Sequence, residues 1–252
     1  MRISTIQLGG CSGCHISILD IGQDLFKKGI NVVHSYLLMD KVTPTIESET
    51  DILLIEGTIL TNQDEALVKR MAPHTKKVVA VGSCACFGGI ACLGNLKTPF
   101  TPQRCDSDEP KYKLHPLVCS PKAFIDVDYF IPGCPPPADV IRDTLLALVE
   151  GRPVPEITHT VCDECDREKT YEAPPIPPRG KWKTLLDAAP DPKKCFLEQG
   201  YLCLGRQTIG GCKASCIKAN IPCEGCRGPI LLYRGFKKFT DEEKKKVLKC
   251  LR

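Results

Sequence analysis

The first 150 residues alternate short apolar runs with stretches in which apolar side chains recur every three or four positions. The apolar runs are typical of buried strands and predict five of them, at Ile3–Leu8, Val32–Met39, Asp51–Ile55, Val78–Val81 and Phe124–Ile131. The helical spacing predicts helices over residues 14–28, 63–71 and Ala138–Val149. Strands that alternate with helices predict an α/β fold built on a doubly wound parallel sheet.

The pattern changes after Gly151. Residues 152–192 contain eight prolines and little periodicity, and residues 195–226 contain six cysteines. Such a segment cannot build a large apolar core, so it needs another source of stability, which bound metal clusters supply. We therefore predict two domains, an α/β domain over residues 1–155 and a loop-rich, cluster-binding domain over residues 156–252.

Composition and charge narrow the class of protein. The net charge of +4 over 252 residues argues against a nucleic-acid binder. No run of about 18 apolar residues is present, so no membrane span is expected. The N-terminus shows no secretory signal, which predicts a cytoplasmic protein whose thiols stay reduced. The 17 cysteines are then expected to be metal ligands rather than disulfides.

Four cysteines of the first half follow predicted strands directly. Cys11 and Cys14 follow the first strand, and Cys84 and Cys134 follow the fourth and the fifth. Because ligands of parallel sheets bind at the carboxyl ends of the strands, these four thiols are expected to converge on one crevice. Four thiolates are the ligand set of a cubane iron–sulfur cluster. Two alternatives remain for the first pair, since Cys11–His15 also fits haem-c attachment or a redox dithiol at a helix start.

The second half carries eight more closely spaced cysteines, enough for two further four-cysteine sites. They are Cys162, Cys165, Cys195, Cys203, Cys212, Cys216, Cys223 and Cys226. A structural zinc site with four thiolate ligands uses similar spacings and remains the main alternative for this half. The leftover thiols are expected to be small buried side chains or bystanders. They are Cys86, Cys92, Cys105, Cys119 and Cys250.

Several motifs resemble the small subunit of [NiFe] hydrogenases. In the first half they are Gly10–Asp20, Glu56–Ile59, Gly82–Ala85 and Pro132–Pro136. In the second half, Cys203–Thr208, Gly210–Cys212 and Pro222–Cys226 resemble the cluster-binding part of that family. The resemblance spans nearly the whole chain and is strongest to the cytosolic archaeal kind, such as the gamma subunit of non-deazaflavin-reducing hydrogenases or the sulfhydrogenase delta subunit.

The resemblance implies a flavodoxin-like first domain and three [4Fe-4S] clusters in a row. The implied proximal set is Cys11, Cys14, Cys84 and Cys134, and the implied distal set is Cys162, Cys165, Cys195 and Cys203. The implied medial set is Cys212, Cys216, Cys223 and Cys226. Electrons would pass from a nickel–iron centre in a separate large subunit to a downstream iron–sulfur or flavin subunit. The chain itself is then not catalytic, since it lacks the paired CxxC motifs of such a large subunit.

The chain departs from many family members at three places. Cys162 stands where many have histidine, and Cys216 stands where many have proline, which implies a four-iron medial cluster here. His15 and Ile16 stand where many have a hydroxyl residue and then glutamate. His15 is a candidate hydrogen-bond partner of the proximal cluster or, alternatively, a surface histidine. Glu56 is a candidate neighbour of that cluster or proton-path residue or, alternatively, a strand-end carboxylate that accepts backbone N–H bonds.

Two other functions fit parts of the sequence. A quinone-linked subunit of the complex I type shares this fold, but such relatives typically carry adjacent cysteines where Cys11 and Cys14 are separated. A zinc-stabilised interaction protein with no redox role also fits the cysteine spacing of the second half. Metal and sulfide analysis separates these hypotheses.

Overall fold

The computed structural model describes residues 1–22, 29–37, 39, 50–96, 113–170 and 182–230. The chain divides into two compact units, Met1–Pro155 and Glu156–Arg252, which we call unit 1 and unit 2. No helix within the described ranges is long and apolar enough to cross a membrane. Cys105 and Cys250 lie outside these ranges.

Unit 1 contains seven described strands. They are β1 (Arg2–Gln7), β2 (Asn31–His34), β3 (Thr50–Glu56), β4 (Ile59–Thr61), β5 (Thr75–Val81), β6 (Leu114–Cys119) and β7 (Tyr129–Ile131). Five of them form one parallel sheet in the order β2-β1-β3-β5-β7. Counted within this sheet, the order is 2-1-3-4-5, which is the flavodoxin-like order. The predicted α/β fold with a parallel sheet is thereby confirmed.

Helices pack on both faces of this sheet. Within the described part of unit 1, the helices are α1 (Gly13–Leu19), α2 (Asn62–Met71), α3 (Gly82–Phe87), α4 (Gly89–Cys92) and α5 (Ala138–Val149). On β3, Ile52 and Leu54 pack with side chains of α1 and α5, whereas Leu53 and Ile55 pack with side chains of α2. Successive strand residues point to opposite faces of the sheet. Because both faces of β3 are buried, its sequence is one continuous apolar run.

Three predicted elements end earlier or begin later than the sequence pattern suggests. The helix predicted over residues 14–28 begins at Gly13 and ends at Leu19, and residues 23–28 lie outside the described ranges. The strand predicted over Val32–Met39 ends at His34. The last strand covers only Tyr129–Ile131 and begins after Asp128, whose carboxylate accepts from the Val78 amide of the neighbouring strand at 2.8 Å.

Unit 2 has little regular structure within residues 156–170 and 182–230. It contains a short helix, α6 (Ser215–Lys218), a 3-10 turn at Leu197–Gln199 and isolated bridges such as Thr160–Ile209. Its core is small and consists of Val161, Phe196, Tyr201, Ala214, Ile217 and Cys223, with Cys165, Cys203 and Cys212 packed against it. Cysteines are thus part of the core, as expected for a segment that depends on a bound group for stability.

Candidate functional site

The carboxyl edge of the sheet in unit 1 carries the four proximal cysteines. Cys11 and Cys14 follow β1, Cys84 lies on α3 directly after β5, and Cys134 follows β7. Their charges act on one another. Burial raises the pKa of the Cys14 thiol, and the negative charges of Glu56, Cys84, Cys11 and Cys134 raise this pKa further. The four thiols that the sequence predicted to converge therefore lie within electrostatic reach of each other.

The loops that carry these cysteines are tied together by hydrogen bonds. The Ser83 amide donates to the Gly133 carbonyl at 2.8 Å, and the Gly133 amide donates to Ser83 Oγ at 3.2 Å. Ser17 on α1 donates from Oγ to the Pro136 carbonyl at 2.5 Å. Elements far apart in sequence are thereby held in one arrangement, which fixes the spacing of the thiols.

Glycines permit the close approach of these loops. Gly82 has φ +88°, and a Cβ at this position would overlap the Sγ of Cys14. Gly89 has φ +59°, and a Cβ there would lie 2.6 Å from the Sγ of Cys84. An L side chain is disfavoured in this backbone region even where space is available. The proximal thiols are thus packed against backbone at two positions that require glycine.

Glu56 and His15 form a buried polar chain beside Cys14. Glu56 is 3% exposed and His15 is 1% exposed. The His15 amide donates to Glu56 Oε2 at 2.9 Å, and the His15 ring nitrogen Nδ1 contacts the same oxygen. The other ring nitrogen lies 2.9 Å from Thr5 Oγ1, which donates to Ser35 Oγ at 2.7 Å. The alternative that His15 is a surface histidine is therefore wrong, and Glu56 does accept a backbone N–H bond.

In unit 2, the four distal cysteines line one cavity. Its volume is about 560 Å³, and Cys162, Cys165, Cys195 and Cys203 all contribute to its wall. Burial raises the pKa of the Cys162 thiol, and the charges of Cys165 and Cys195 add to this rise, while Lys169 opposes it. The resemblance grouped these four residues, and the structure brings them around one space.

Cationic side chains also line the cavity. Arg167, Lys169 and Arg206 contribute to its wall, together with Asp163 and Glu198. The Lys169 ammonium donates to the carbonyls of Cys162 and Cys165 at 2.6 and 3.2 Å, which fixes the loop between these two thiols. Positive charge around four thiols compensates the negative charge of a thiolate-ligated cluster. The donor set and its surroundings therefore fit an iron–sulfur cluster.

Fewer of the described contacts link the medial cysteines to one another. Burial raises the pKa of the Cys223 thiol, with contributions from both Cys203 and Cys226. The Cys223 amide also points at the Cys203 Sγ, at 3.4 Å. Cys203 belongs to the distal set by resemblance, whereas Cys226 belongs to the medial set. The division of the eight thiols into two sets therefore stays a prediction.

Two residues that support the unit 2 site were not singled out from the sequence. Arg167 is 6% exposed and donates to the carbonyls of Asp191 and Lys194, near Cys195. Glu164, inside the Cys162–Cys165 loop, accepts from the amides of Gly211 and Ala214, on either side of Cys212. In the sequence, only position hints at these roles: Arg167 lies two residues after Cys165, and Glu164 lies between Cys162 and Cys165. Within the described ranges, no group of three or more His, Cys, Asp or Glu is arranged to hold a single metal ion.

Comparison with known proteins places these sites in a family. The family model described as NADH ubiquinone oxidoreductase, 20 Kd subunit, matches residues 11–148. A subunit of the F420-non-reducing hydrogenase vhu from Methanococcus voltae is 38% identical, and the match covers 90% of this chain and 82% of that protein. The sulfhydrogenase 2 delta subunit of Pyrococcus furiosus is 25% identical over 92% of this chain and 87% of its own length.

A solved structure extends the likeness to the fold. A chain of the H2-activated [NiFeSe]-hydrogenase of Dm. baculatum matches with a TM-score of 0.59 and 20% identity, covering 96% of each chain. The match includes both units, whereas the family model ends within unit 1. The family model and the relative that is 38% identical confirm the resemblance predicted from the motifs. This chain belongs to the family of the 20 kDa subunit of NADH ubiquinone oxidoreductase and, within it, to the hydrogenase small subunits, together with its relatives from F420-non-reducing hydrogenases.

Proposed function

We propose that this chain is the electron-transfer subunit of a cytoplasmic [NiFe] hydrogenase and holds three [4Fe-4S] clusters. The observation that carries this proposal is the convergence of Cys11, Cys14, Cys84 and Cys134 at one sheet edge, in a chain whose full-length relatives are hydrogenase subunits. A cluster bound there supplies a centre that accepts and releases one electron at a time. Electrons from hydrogen oxidation enter at the proximal site and leave through unit 2 to an iron–sulfur or flavin subunit.

The residues of this chain support transfer by fixing and shielding the sites. Cys14 is 8% exposed, and the sheet and α1 exclude water from its side of the proximal site. The hydrogen bonds between Ser83 and Gly133 keep two of the ligand loops in register. In unit 2, Lys169 holds the loop between Cys162 and Cys165 through two carbonyls. A fixed ligand shell keeps reorganisation small when the charge of the site changes.

A large subunit that carries the nickel–iron centre is the proposed partner on the proximal side. The helix that carries Cys14 exposes Ile16 and Leu19, which are 53% and 47% exposed. The segment after the Cys84 helix exposes Ile90 and Leu93, which are 75% and 59% exposed. Large apolar side chains exposed beside a redox site are typical of a protein interface. Burying them under the large subunit shortens the electron path and dries the proximal site.

The name of the family model favours a second candidate, a quinone-linked subunit of the complex I type. In that case the chain would bind clusters but would copurify with a complex that contains no nickel. The matches that extend through unit 2 are to hydrogenase subunits, which is why we place the hydrogenase function first.

The proposal is tested by anaerobic copurification of the tagged chain with its subunits, followed by nickel analysis and hydrogen-dependent dye reduction. We expect nickel and dye reduction in the wild-type complex. Cys84→Ser is expected to lose about four iron atoms and at least tenfold in dye reduction. The control is Cys86→Ser, two residues away on the same helix, which replaces a buried thiol that donates to the Ala80 carbonyl. We expect it to change neither the iron content nor the rate of dye reduction. A complex with clusters but no nickel would refute the hydrogenase function.

A further inference from the structure

The carboxylate of Glu164 joins two loops of unit 2 that carry cysteines of different predicted sets. Glu164 lies within the Cys162–Cys165 loop, and its side chain is 15% exposed. Its Oε1 accepts from the Gly211 amide and from His159 Nε2, the latter at 2.7 Å, and its Oε2 accepts from the Ala214 amide at 3.1 Å. One side chain of the distal loop therefore fixes the backbone on both sides of Cys212.

The loop that Glu164 holds has an unusual backbone. Lys213 and Ala214 have φ values of 56° and 51°, two successive left-handed residues that are not glycine. A side chain is strained in this backbone region, so the conformation persists only where outside contacts fix it. Glu164 supplies such a contact to Ala214 itself. The conformation of the Cys212 loop thus depends on a residue almost fifty positions earlier.

Two glycines show how closely the Glu164 carboxylate approaches the backbone before Cys212. A Cβ at Gly210 would lie 3.0 Å from Glu164 Oε1 and would overlap the ring of His159. A Cβ at Gly211 would lie 3.1 Å from Nη2 of Arg227, whose side chain is 1% exposed. The Gly210–Gly211 pair is therefore packed between an anionic and a cationic group.

Cys212 lies in the field of both groups. Its Sγ is 3.8 Å from Glu164 Oε2. The positive charge of Arg227 acts on the same thiol in the opposite sense. Fixed charges at such short range act strongly in a partly buried site. Because an iron–sulfur group becomes more negative when it is reduced, a carboxylate beside its ligand disfavours the reduced form.

We propose that Glu164 is a positioning residue of the Cys212 site, which holds the ligand loop and lowers the reduction potential of the iron–sulfur group bound there. This inference rests on the proposed function, because it assumes that Cys212 ligates such a group. Glu164 does two separable things in this account: its oxygen atoms fix the loop, and its charge sets the potential. Two substitutions separate them.

The test uses the anaerobically purified complex and compares Glu164→Gln, Glu164→Ala and the control Asp187→Asn. Asp187 is also a carboxylate of unit 2, but its described hydrogen bonds come from the amide and hydroxyl of Thr184 and not from a cysteine loop. Iron content and potentiometric EPR titration are measured, and the signal that disappears in Cys212→Ser identifies the site. We expect Glu164→Gln to keep its iron and to shift the midpoint of that one signal upward. Glu164→Ala is expected to lose about four of the roughly twelve iron atoms predicted for this chain, and Asp187→Asn is expected to match the wild type.

The outcomes separate this inference from the proposed function. Wild-type protein without iron and sulfide refutes the proposed function. Wild-type protein with a full iron content, together with unshifted signals and full iron in both Glu164 variants, refutes the role of Glu164. A Glu164→Gln variant in which every signal shifts equally also refutes it, because the effect would then not be specific to the Cys212 site. If Glu164→Ala does not fold, the signal shift in Glu164→Gln decides the question.

Discussion

Gly82→Ala is expected to abolish cluster binding at the proximal cysteines and to leave unit 2 loaded. Gly82 stands at the junction of β5 and α3 with φ +88°, where a Cβ would overlap the Sγ of Cys14. The backbone cannot relax freely there, because the next residue, Ser83, exchanges hydrogen bonds with Gly133. Either Cys14 or the Cys84 helix must therefore move, and the four-thiol arrangement is lost.

The measurement for Gly82→Ala is iron and sulfide content together with hydrogen-dependent dye reduction. We expect the loss of about four of about twelve iron atoms and at least a tenfold loss of dye reduction. The matched control is Gly94→Ala, in the 3-10 helix Leu93–Leu96, where a Cβ would meet no atom within 4 Å. A Gly82→Ala protein with a full iron content would contradict the proposed proximal site.

Arg167→Met is expected to destabilise unit 2 by about 3 kcal/mol or more. The guanidinium lies 3.7 Å from the centroid of the Phe196 ring and is almost fully buried. Its Nη1 donates to the carbonyls of Asp191 and Lys194 at 2.7 and 2.8 Å, and its Nη2 donates to Asn220 Oδ1 at 2.5 Å. Methionine fills most of the volume but removes the donor to Asn220 Oδ1, and it leaves the Asp191 and Lys194 carbonyls with only the weaker bonds from the Gln199 side-chain amide.

The consequence of Arg167→Met extends to the cysteines. Arg167 joins the loop before Cys195 to the end of α6, which carries Cys216, so both predicted sets of unit 2 lose support. We expect a lower thermal midpoint for iron release from unit 2. Arg167→Lys keeps the charge but cannot span the same acceptors, and it is expected to be intermediate. Arg152→Met is the control, because Arg152 is 55% exposed and pairs with Glu150. Equal midpoints for Arg167→Met and Arg152→Met would contradict this account.

The sheet and the proximal cysteines were predictable from the sequence. Strands buried on both faces read as apolar runs, as in Asp51–Ile55, and the parallel arrangement then places Cys11, Cys84 and Cys134 at one edge. The pattern missed the antiparallel pair of β4 and β6. β4 has only three residues, and β6 contains Pro116 and is partly exposed, so neither gives a periodic signal.

The polar supports of the sites could not be predicted because their partners are far apart in sequence. His15 is buried through Glu56, 41 residues away, and Arg167 binds Asn220, 53 residues away. Local patterns report periodicity and turns, but they do not report which charged side chain finds partners in the interior. The division of the eight thiols of unit 2 into a distal and a medial set came from family resemblance alone.

Twelve of the cysteines are proposed to hold iron and sulfide. The most direct measurement is the iron, acid-labile sulfide and zinc content of the anaerobically purified complex, expressed per copy of this chain. We expect about twelve iron atoms and about as many sulfides in the clusters of this chain, after subtraction of metal bound by the other subunits. Zinc without labile sulfide would contradict it and would favour a structural zinc protein.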